Sequence, residues 1–506
     1  MRKKLFIFNT ILLTATSLIA RIIGIGFRVY MSNKIGAEGM GLFQLIGVFY
    51  VFCANFSVSG ISVAVTRLIA ESAVKKEYKK SKIYLYSCMA ISIAISVIVG
   101  FIMFIYAGFI GGSILHDSRT TLSLKALSIS LPFMSISACF RGYFYAFREA
   151  LKTASEQLLE QIIEILVFAS IVGSLAPKGL EYACLSIVIG TTIAEVISSI
   201  YSFVLYKLEN KKSSDERVDL KSSLKDIGEI AIPITLSGIV RFGLSTIENV
   251  LIPGGFKKMG NSANRSLSIY GLIMGMVMPI ITFPTVILCS LSALLVPELS
   301  EAGAINHKKN ITHVVSKIFM LTNTFSIIVS FVFVFFSKDF GLAIYKNLET
   351  GVYIGVLAPL VPLMYLDHVV DGMLKGLNQQ SSYLIYNIID AVIRVVLTYV
   401  FLPKFGIYAL IAIMFFSTIL NSTLSISRLI KVANVKFNIF SWLIEPIFLA
   451  FVSCFVSYLL INSNQFGLSY QVKLIIEVSL SVFIYFSLWA LFNRNFIIAN
   501  KPKKAA

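Results

Sequence analysis

The sequence predicts an all-α, polytopic membrane protein, and three observations support that fold class. Hydrophobic residues make up 57% of the 506 positions and charged residues 14%, whereas soluble domains contain about 25% charged residues. Mean hydropathy is +0.83. About 14 apolar stretches reach the roughly 20 residues that a membrane-spanning helix needs. We predict spans at 5–27, 40–64, 83–108, 122–146, 155–176, 181–206, 228–252, 267–295, 312–336, 352–374, 383–402, 406–430, 441–462 and 471–494.

Basic residues outnumber acidic residues by 44 to 26, and their positions explain the excess. With Arg2, Lys3 and Lys4 inside the cell, most Lys and Arg residues fall at cytoplasmic ends or loops, as the positive-inside rule requires. An even number of spans then places both termini in the cytoplasm. The sequence therefore predicts a multi-pass protein of the cytoplasmic membrane, with membrane lipid and no nucleic acid as partner.

Signatures of catalysis or of metal binding are missing from the sequence. The six cysteines and four histidines form neither a CxxC nor an HExxH pattern, and no GxxxxGK[ST] loop is present. We therefore expect no enzyme activity, no bound cofactor and no metal site. A membrane-embedded glycosyltransferase would also need a catalytic loop that the sequence does not offer.

An internal duplication organises the predicted spans. A shift of 230 positions aligns Gly41-Leu42 with Gly271-Leu272, Arg141-Gly142 with Asp371-Gly372, Glu160 with Asp390, and Glu164 with Arg394. The order of these matches predicts two parallel six-helix lobes, 1–207 and 225–431, a cytoplasmic linker at 208–224, and two additional helices within 441–494. Transporters built from such repeats bind substrate near the bilayer midplane, at the repeat interface.

Charged residues inside predicted spans mark the candidate substrate site. Arg21 and Arg28 are seven residues apart in the first span and so share one stripe of that helix. Arg241 and Glu248 repeat this spacing in the seventh span. Intramembrane charges usually face a functional cavity, although long side chains near helix ends also reach the interface. Because arginine binds phosphate oxygens with two parallel hydrogen bonds, these four residues predict a central chamber for an anionic substrate, particularly a pyrophosphate.

Two further polar faces form a candidate coupling site for Na⁺ or H⁺. Glu156, Glu160 and Glu164 follow one another at i, i+4 and i+8 in the fifth span, and the eleventh span carries Asn387, Asp390 and Arg394. Carboxylate and amide oxygens suit a cation or a proton relay. The alternative is that Asp390 and Arg394, four residues apart, pair with each other. The sequence leaves both interpretations open, and it does not identify the coupling ion.

Several motifs resemble those of the stage V sporulation protein B family. They are Arg21-Ile-Ile-Gly-Ile-Gly-Phe-Arg28, Ile35-Gly-Ala-Glu-Gly-Met-Gly-Leu-Phe-Gln44, Arg67-Leu-Ile-Ala-Glu-Ser72 and Arg141-Gly-Tyr-Phe-Tyr-Ala-Phe-Arg148. That family belongs to the polysaccharide transporter branch of the multidrug/oligosaccharidyl-lipid/polysaccharide exporter superfamily, which also contains the MurJ-type lipid II flippases.

The resemblance implies a flippase for an undecaprenyl-pyrophosphate-linked sugar, foremost the peptidoglycan precursor lipid II. Such a protein would serve sporulation or cell-wall synthesis beside cell-wall synthases. The resemblance also implies that first-span arginines line the cavity and that the last two spans hold the lipid tail. A second-span arginine of some MurJ proteins has no counterpart here, where Cys53, Ala54 and Asn55 occupy the region.

Two alternatives remain at this stage. A multidrug–cation antiporter of the same superfamily would need an acidic chamber, which Glu248 and Asp390 favour and the arginines oppose. A non-transporting scaffold for cell-wall synthesis would tolerate replacement of Arg21 but not changes in its cytoplasmic loops.

Overall fold

The computed structural model describes residues 2–75, 77–208, 220–304, 308–435, 438–463 and 469–493. Within these ranges the chain forms helices and turns and no strand, which confirms the predicted all-α class. Residues 209–219 of the predicted linker and the C-terminal residues 494–506 lie outside the described ranges.

Eighteen α-helices are present in the described part of the chain. They are α1 (Arg2–Val74), α2 (Tyr78–Ile105), α3 (Ala107–Phe109), α4 (Thr121–Ala146), α5 (Ala150–Leu175), α6 (Leu180–Leu208), α7 (Leu220–Lys258), α8 (Ala263–Tyr270), α9 (Met278–Thr282), α10 (Thr285–Ala304), α11 (Lys308–Phe335), α12 (Ser337–Tyr345), α13 (Leu348–Leu357), α14 (Val361–Gly376), α15 (Gln380–Phe405), α16 (Ile407–Ala433), α17 (Glu445–Ser463) and α18 (Tyr470–Phe492).

Thirteen helical segments of the described residues are long and apolar enough to cross a membrane, close to the predicted 14. The first, Leu18–Val74, has 57 residues, or about 85 Å at 1.5 Å per residue, which far exceeds a hydrocarbon core of about 30 Å. It bends at Gly36, where φ is 70° and ψ is −178°, a conformation that favours glycine. The bend divides α1 into a first arm (residues 2–35) and a second arm (residues 37–74), which correspond to two predicted spans.

The predicted span 267–295 differs from the structure. A π-helical segment, Gly271–Val277, follows α8, and the helix ends with α9 at Thr282 before α10 starts at Thr285. Pro284 accounts for the interruption, since proline lacks the N–H that would continue the hydrogen-bond ladder.

The chain divides into two compact units. Unit 1 contains Met1–Gly275 and Arg394–Ile407, and unit 2 contains Met276–Ile393 and Tyr408–Ala506. In unit 1 a core cluster that includes Cys88, Tyr143 and Phe144 joins α1, α2 and α4. In unit 2 a second cluster, with Ile327, Leu449 and Tyr485, joins α11, α17 and α18. The predicted lobe boundaries stay a prediction.

Serine hydroxyls connect the helices of unit 1. Ser92 of α2 donates a hydrogen bond of 2.6 Å to the carbonyl of Ser57 in α1, and Ser96 lies 3.2 Å from Ser135 of α4. All four serines are buried. Small polar residues of this kind let membrane helices approach closely and satisfy one another's hydrogen bonds, where the hydrophobic effect offers little.

Glycine makes the closest helix contact in unit 1. A Cβ on Gly41 of α1 would collide with the carbonyl of Leu267 and lie against the nitrogen of Gly271, and a Cβ on Gly271 would collide with the carbonyl of Ala37. Gly41 and Gly271 are also the pair that the sequence repeat aligns.

We expect Gly41→Ala to destabilise the protein by about 1–3 kcal/mol, because the added methyl group forces two backbones apart. Gly47→Ala, six residues along the same helix where no atom lies within 4 Å of an added Cβ, is the matched control. It should be neutral or slightly stabilising, since alanine suits a helix interior better than glycine. Thermal unfolding of the two purified variants in detergent measures the difference, and equal midpoints would contradict the proposed contact.

Candidate functional site

The first arm of α1 carries Arg21 and Arg28 and packs against α5. Phe27 is buried, and its ring meets that of Phe168 edge-on at 5.5 Å. A Cβ on Gly24 would lie close to the amide nitrogen of the Gln161 side chain, which would have to move to accommodate it. Arg21 is exposed and Arg28 is half-buried.

Arg28 interacts with a carboxylate of the predicted coupling site. Its charge acts on Glu164 of α5, and the Oε1 atom of Glu164 accepts a hydrogen bond of 2.7 Å from Thr191 of α6. Arg28 and Glu164, assigned from the sequence to substrate binding and to coupling respectively, therefore belong to one polar group that links three helices.

The middle of α7 carries Arg241 and Glu248 and lies along the second arm of α1. Gly238 leaves room for Ser59, and the hydroxyl of Thr246 lies 3.5 Å from the carbonyl of Val48. Arg241 is exposed, with its guanidinium 4.6 Å from the ring centroid of Phe242.

Glu248 pairs with Arg394 rather than standing free in a chamber. Its Oε2 atom lies 3.5 Å from Nη2 of Arg394, and the two side chains are 12% and 33% exposed. The sequence offered Asp390 as a partner of Arg394, four residues away on α15. In unit 2, the Oδ1 atom of Asp390 accepts a hydrogen bond of 2.7 Å from Ser417, and Asp390 is 5% exposed.

Asn387 also belongs to unit 2, and its amide group donates to the carbonyl of Tyr383 at 2.8 Å, within α15. Unit 2 contains a second polar contact that the sequence analysis did not select. The amide group of Asn421 in α16 donates a hydrogen bond of 3.0 Å to Asp367 of α14. Polar side chains that offer oxygen atoms therefore lie on α14 and α16 as well as on α15, where the sequence analysis placed them.

Arg21 and Arg241 differ from the other membrane arginines. Across the residues that the structure describes, neither forms an ion pair with a carboxylate, whereas Arg28, Arg141 and Arg394 each interact with at least one glutamate. Two exposed guanidinium groups on membrane helices can bind an anionic group of a ligand, and phosphate oxygens match their geometry best.

Sequence reasoning found only part of a buried cluster in unit 1. Arg141 of α4 lies 3.0 Å from Oε1 of Glu156 and 3.5 Å from Oε2 of Glu160, and Glu195 of α6 acts on the same group. Glu160 was selected from the sequence, but Arg141 and Glu195 were not. Glu195 offered a usable signal, because it is an ionisable residue in the middle of an apolar span.

Family models match both halves of the chain. The model described as "Polysaccharide biosynthesis protein" matches residues 6–303, which is more than half of the sequence. The model described as "MatE" matches residues 256–400.

Curated relatives from Bacillus subtilis (strain 168) cover most of the chain. Stage V sporulation protein B is 26% identical over 506 residues, which cover 97% of this chain and 96% of the relative. Lipid II flippase MurJ is 22% identical over 422 residues, covering 77% and 76%. These matches confirm the resemblance inferred from the motifs.

Solved structures share the fold. A lipid II flippase MurJ in an inward closed conformation superposes with a TM-score of 0.66 at 15% identity, covering 96% of this chain and all of that one. An inward-facing multidrug resistance MATE family transporter of the MOP superfamily gives 0.58 at 14% identity, covering 82% and 97%. The protein thus has the fold of these transporters, and the thirteen apolar helical segments of its described residues are those of a multi-span membrane protein.

We expect Arg141→Met to destabilise the protein by about 3–5 kcal/mol, because it leaves buried carboxylates without their cation. The matched control is Arg67→Met, since Arg67 and Glu71 form a pair whose side chains are 65% and 56% exposed and whose loss costs about 0–1 kcal/mol. Thermal unfolding in detergent compares the two. A smaller loss for Arg141 than for Arg67 would show that the buried pair contributes nothing.

The Glu248–Arg394 pair predicts a measurable coupling between α7 and α15. In a double-mutant cycle with Glu248→Gln and Arg394→Gln, we expect a coupling free energy of about 0.5–3 kcal/mol, as is usual for residues in contact. The cycle uses unfolding of the four purified proteins in detergent. Strictly additive effects would mean that the two side chains do not interact.

Proposed function

Because the chain belongs to the polysaccharide biosynthesis protein family, we propose that it is a flippase for a polyprenyl-pyrophosphate-linked oligosaccharide. Lipid II is the substrate that we propose first, for spore cortex or cell-wall synthesis. The protein would act in the cytoplasmic membrane, with both termini in the cytoplasm. Similarity to stage V sporulation protein B over 97% of the chain supports this choice.

The observation that carries the proposal is the pair Arg21 and Arg241. Each is an exposed arginine on a membrane helix, without a carboxylate partner among the described residues. An arginine in that position is costly unless a ligand or water meets it. A pyrophosphate supplies several oxygens in the geometry that guanidinium groups bind through paired hydrogen bonds. Arg28, whose charge acts on Glu164, and Glu248, which pairs with Arg394, would contribute to the same site.

The lipid tail needs an apolar surface while the headgroup moves. In unit 2, α17 and α18 expose large apolar side chains, among them Phe448 at 63% and Phe483 at 71%. We assign the tail to these two helices, which lie outside the predicted duplication.

Movement of a charged headgroup can use the membrane potential. Each elementary charge that crosses the membrane contributes about 2.3 kcal/mol per 100 mV. In an alternating-access cycle, the substrate shifts the equilibrium only as far as its affinity differs between the two states. Glu160, Glu164, Asn387 and Asp390 remain our candidates for coupling to Na⁺ or H⁺.

A multidrug–cation antiporter is the second candidate. The MatE model matches residues 256–400, and MATE transporters share the fold. That function requires an anionic site for a cationic drug. Asp390 is one candidate binding group, the glutamates of α5 are another, and the two exposed arginines would oppose binding.

Rescue of a cell depleted of its own lipid II flippase tests the proposal. Wild type should restore growth, and Arg21→Ala and Arg241→Ala should each abolish rescue at matched protein levels. Loss of one charged contact to a buried anion costs about 2–5 kcal/mol, which is roughly 30-fold or more in affinity. Arg67→Ala, which removes an arginine of the exposed Arg67–Glu71 pair, is the control and should rescue.

Three other outcomes would change the assignment. Rescue that survives both arginine substitutions would remove the proposed site and favour a scaffold for cell-wall synthases. Failure of well-expressed wild type would exclude lipid II as the substrate. Efflux of a cationic drug that depends on Asp390 would favour the antiporter.

A further inference from the structure

A group of glutamates on α5 and α6 of unit 1 has more carboxyl groups than basic residues around it. Glu156, Glu160 and Glu164 lie on α5 and Glu195 on α6, and we call these four residues with Arg141 the acidic cluster. Arg141 contacts Glu156 and Glu160. The other basic residue that acts on the cluster is Arg28, through Glu164.

Neutral groups complete the surroundings of the cluster. Ser198 of α6 donates to Oε1 of Glu156 at 2.8 Å, and Thr191 donates to Glu164. From α1, Tyr50 lies within electrostatic reach of Glu195, Glu160 and Arg141, with its hydroxyl 2.7 Å from Ser130. From α4, Tyr145 lies within electrostatic reach of Arg141 and Glu156. Around the cluster, the described charged and titratable groups of the packed helices α1, α4, α5 and α6 include four carboxyls, two guanidinium groups, two phenols and the thiol of Cys139, on which Arg141 acts.

Two carboxyl oxygens in the cluster lack a hydrogen-bond donor. Glu156 is 0% exposed and Glu195 is 5% exposed. Within the described part of the chain, no group donates a hydrogen bond to Oε2 of Glu156 or to Oε2 of Glu195. Glu195 comes from a different helix than the other three glutamates and acts on Glu160, Arg141 and Glu156. A buried carboxylate oxygen without a donor adds to the desolvation cost of the charged group.

Protonation removes that cost. Four ionised carboxylates against two guanidinium groups would leave two uncompensated negative charges in a low-dielectric interior. A protonated carboxyl is uncharged and becomes a hydrogen-bond donor, so it can satisfy a neighbouring carboxylate oxygen. Two carboxyls that each hold a proton would bring the cluster to neutrality.

We propose that the acidic cluster is a proton-binding site, with Glu195 and Glu156 as the groups that hold the protons, and that H⁺ rather than Na⁺ is its ligand. Arg141 disfavours a metal cation, because its guanidinium nitrogen already lies 3.0 Å from Glu156 and 3.5 Å from Glu160. A second cation on those oxygens would be repelled at short range. The described residues also contain no group of three or more His, Cys, Asp or Glu side chains that could hold a metal ion.

The repeat supports a special role for this half of the chain. At the same shift of 230 positions, Arg141 aligns with Asp371, and Glu195 aligns with Ser425. The second half therefore lacks both the central cation and the carboxylate that faces it. The idea that protons drive transport rests on the proposed function. The proposal that the cluster binds protons does not depend on it.

Infrared spectroscopy of the purified full-length protein tests the proton site without any substrate. We expect a carbonyl-stretch band of protonated carboxyl groups at neutral pH. Glu195→Gln should remove about one carboxyl group's share of that band, and Glu195→Asp should retain it. Glu181→Gln, in the first turn of the same helix, is the matched control and should leave the band unchanged.

Three results would overturn the proposal. Absence of the protonated-carboxyl band in wild type would overturn it whatever the variants show. The test therefore does not depend on whether folded Glu195→Gln protein can be purified. A Glu195→Gln difference spectrum that loses only carboxylate bands would show that Glu195 is ionised. Loss of the protonated band when choline chloride is replaced by sodium chloride would assign Na⁺ instead. Failure of lipid II rescue beside an intact band would reject the proposed function and leave the proton site standing.

Discussion

A charge inside the membrane must be neutralised by a partner, by a proton or by the ligand that the protein handles, and this constraint organises unit 1. Arg28, Arg141 and Arg394 are balanced by glutamates on neighbouring helices. Glu156 and Glu195 have an oxygen without a donor among the described residues, and protons can balance them. Among the described residues Arg21 and Arg241 have neither kind of balance, and we assign them to the ligand. In our proposals the three kinds of neutralisation correspond to structure, coupling and substrate binding.

Close helix packing holds these charged residues in fixed positions. Gly41 and Gly271 bring backbones together where a methyl group would not fit, and Gly24 lies against the Gln161 side chain where α1 meets α5. A buried serine of α2 then donates to a carbonyl of α1, and a second serine of α2 contacts a serine hydroxyl of α4. Because dispersion and hydrogen bonding act only at short range, helices that approach through small residues can hold ionic groups in a defined geometry.

Sequence reasoning selected charged residues of the membrane helices, and the structure adds which of them lie close together. The seven-residue spacing of Arg21 and Arg28 suggested one joint function, yet Arg28 acts on Glu164 and Arg21 pairs with no carboxylate of the described chain. Glu248 was assigned to the chamber, and the structure pairs it with Arg394 at 3.5 Å. The arginine and glutamate that complete the acidic cluster come from α4 and α6, so no local spacing could associate them with Glu160.

The sequence by itself determined the fold class, the membrane-embedded character and the approximate number of spans, because hydropathy and helix length follow from local composition. It also determined the family, through motifs such as Arg21–Arg28 and Arg141–Arg148 that are read along one helix. Only the tertiary structure decided where α1 bends, where Pro284 interrupts a predicted span and which charges meet. Ion pairing depends on distances between helices that are far apart in the chain, and local periodicity contains no information on those distances.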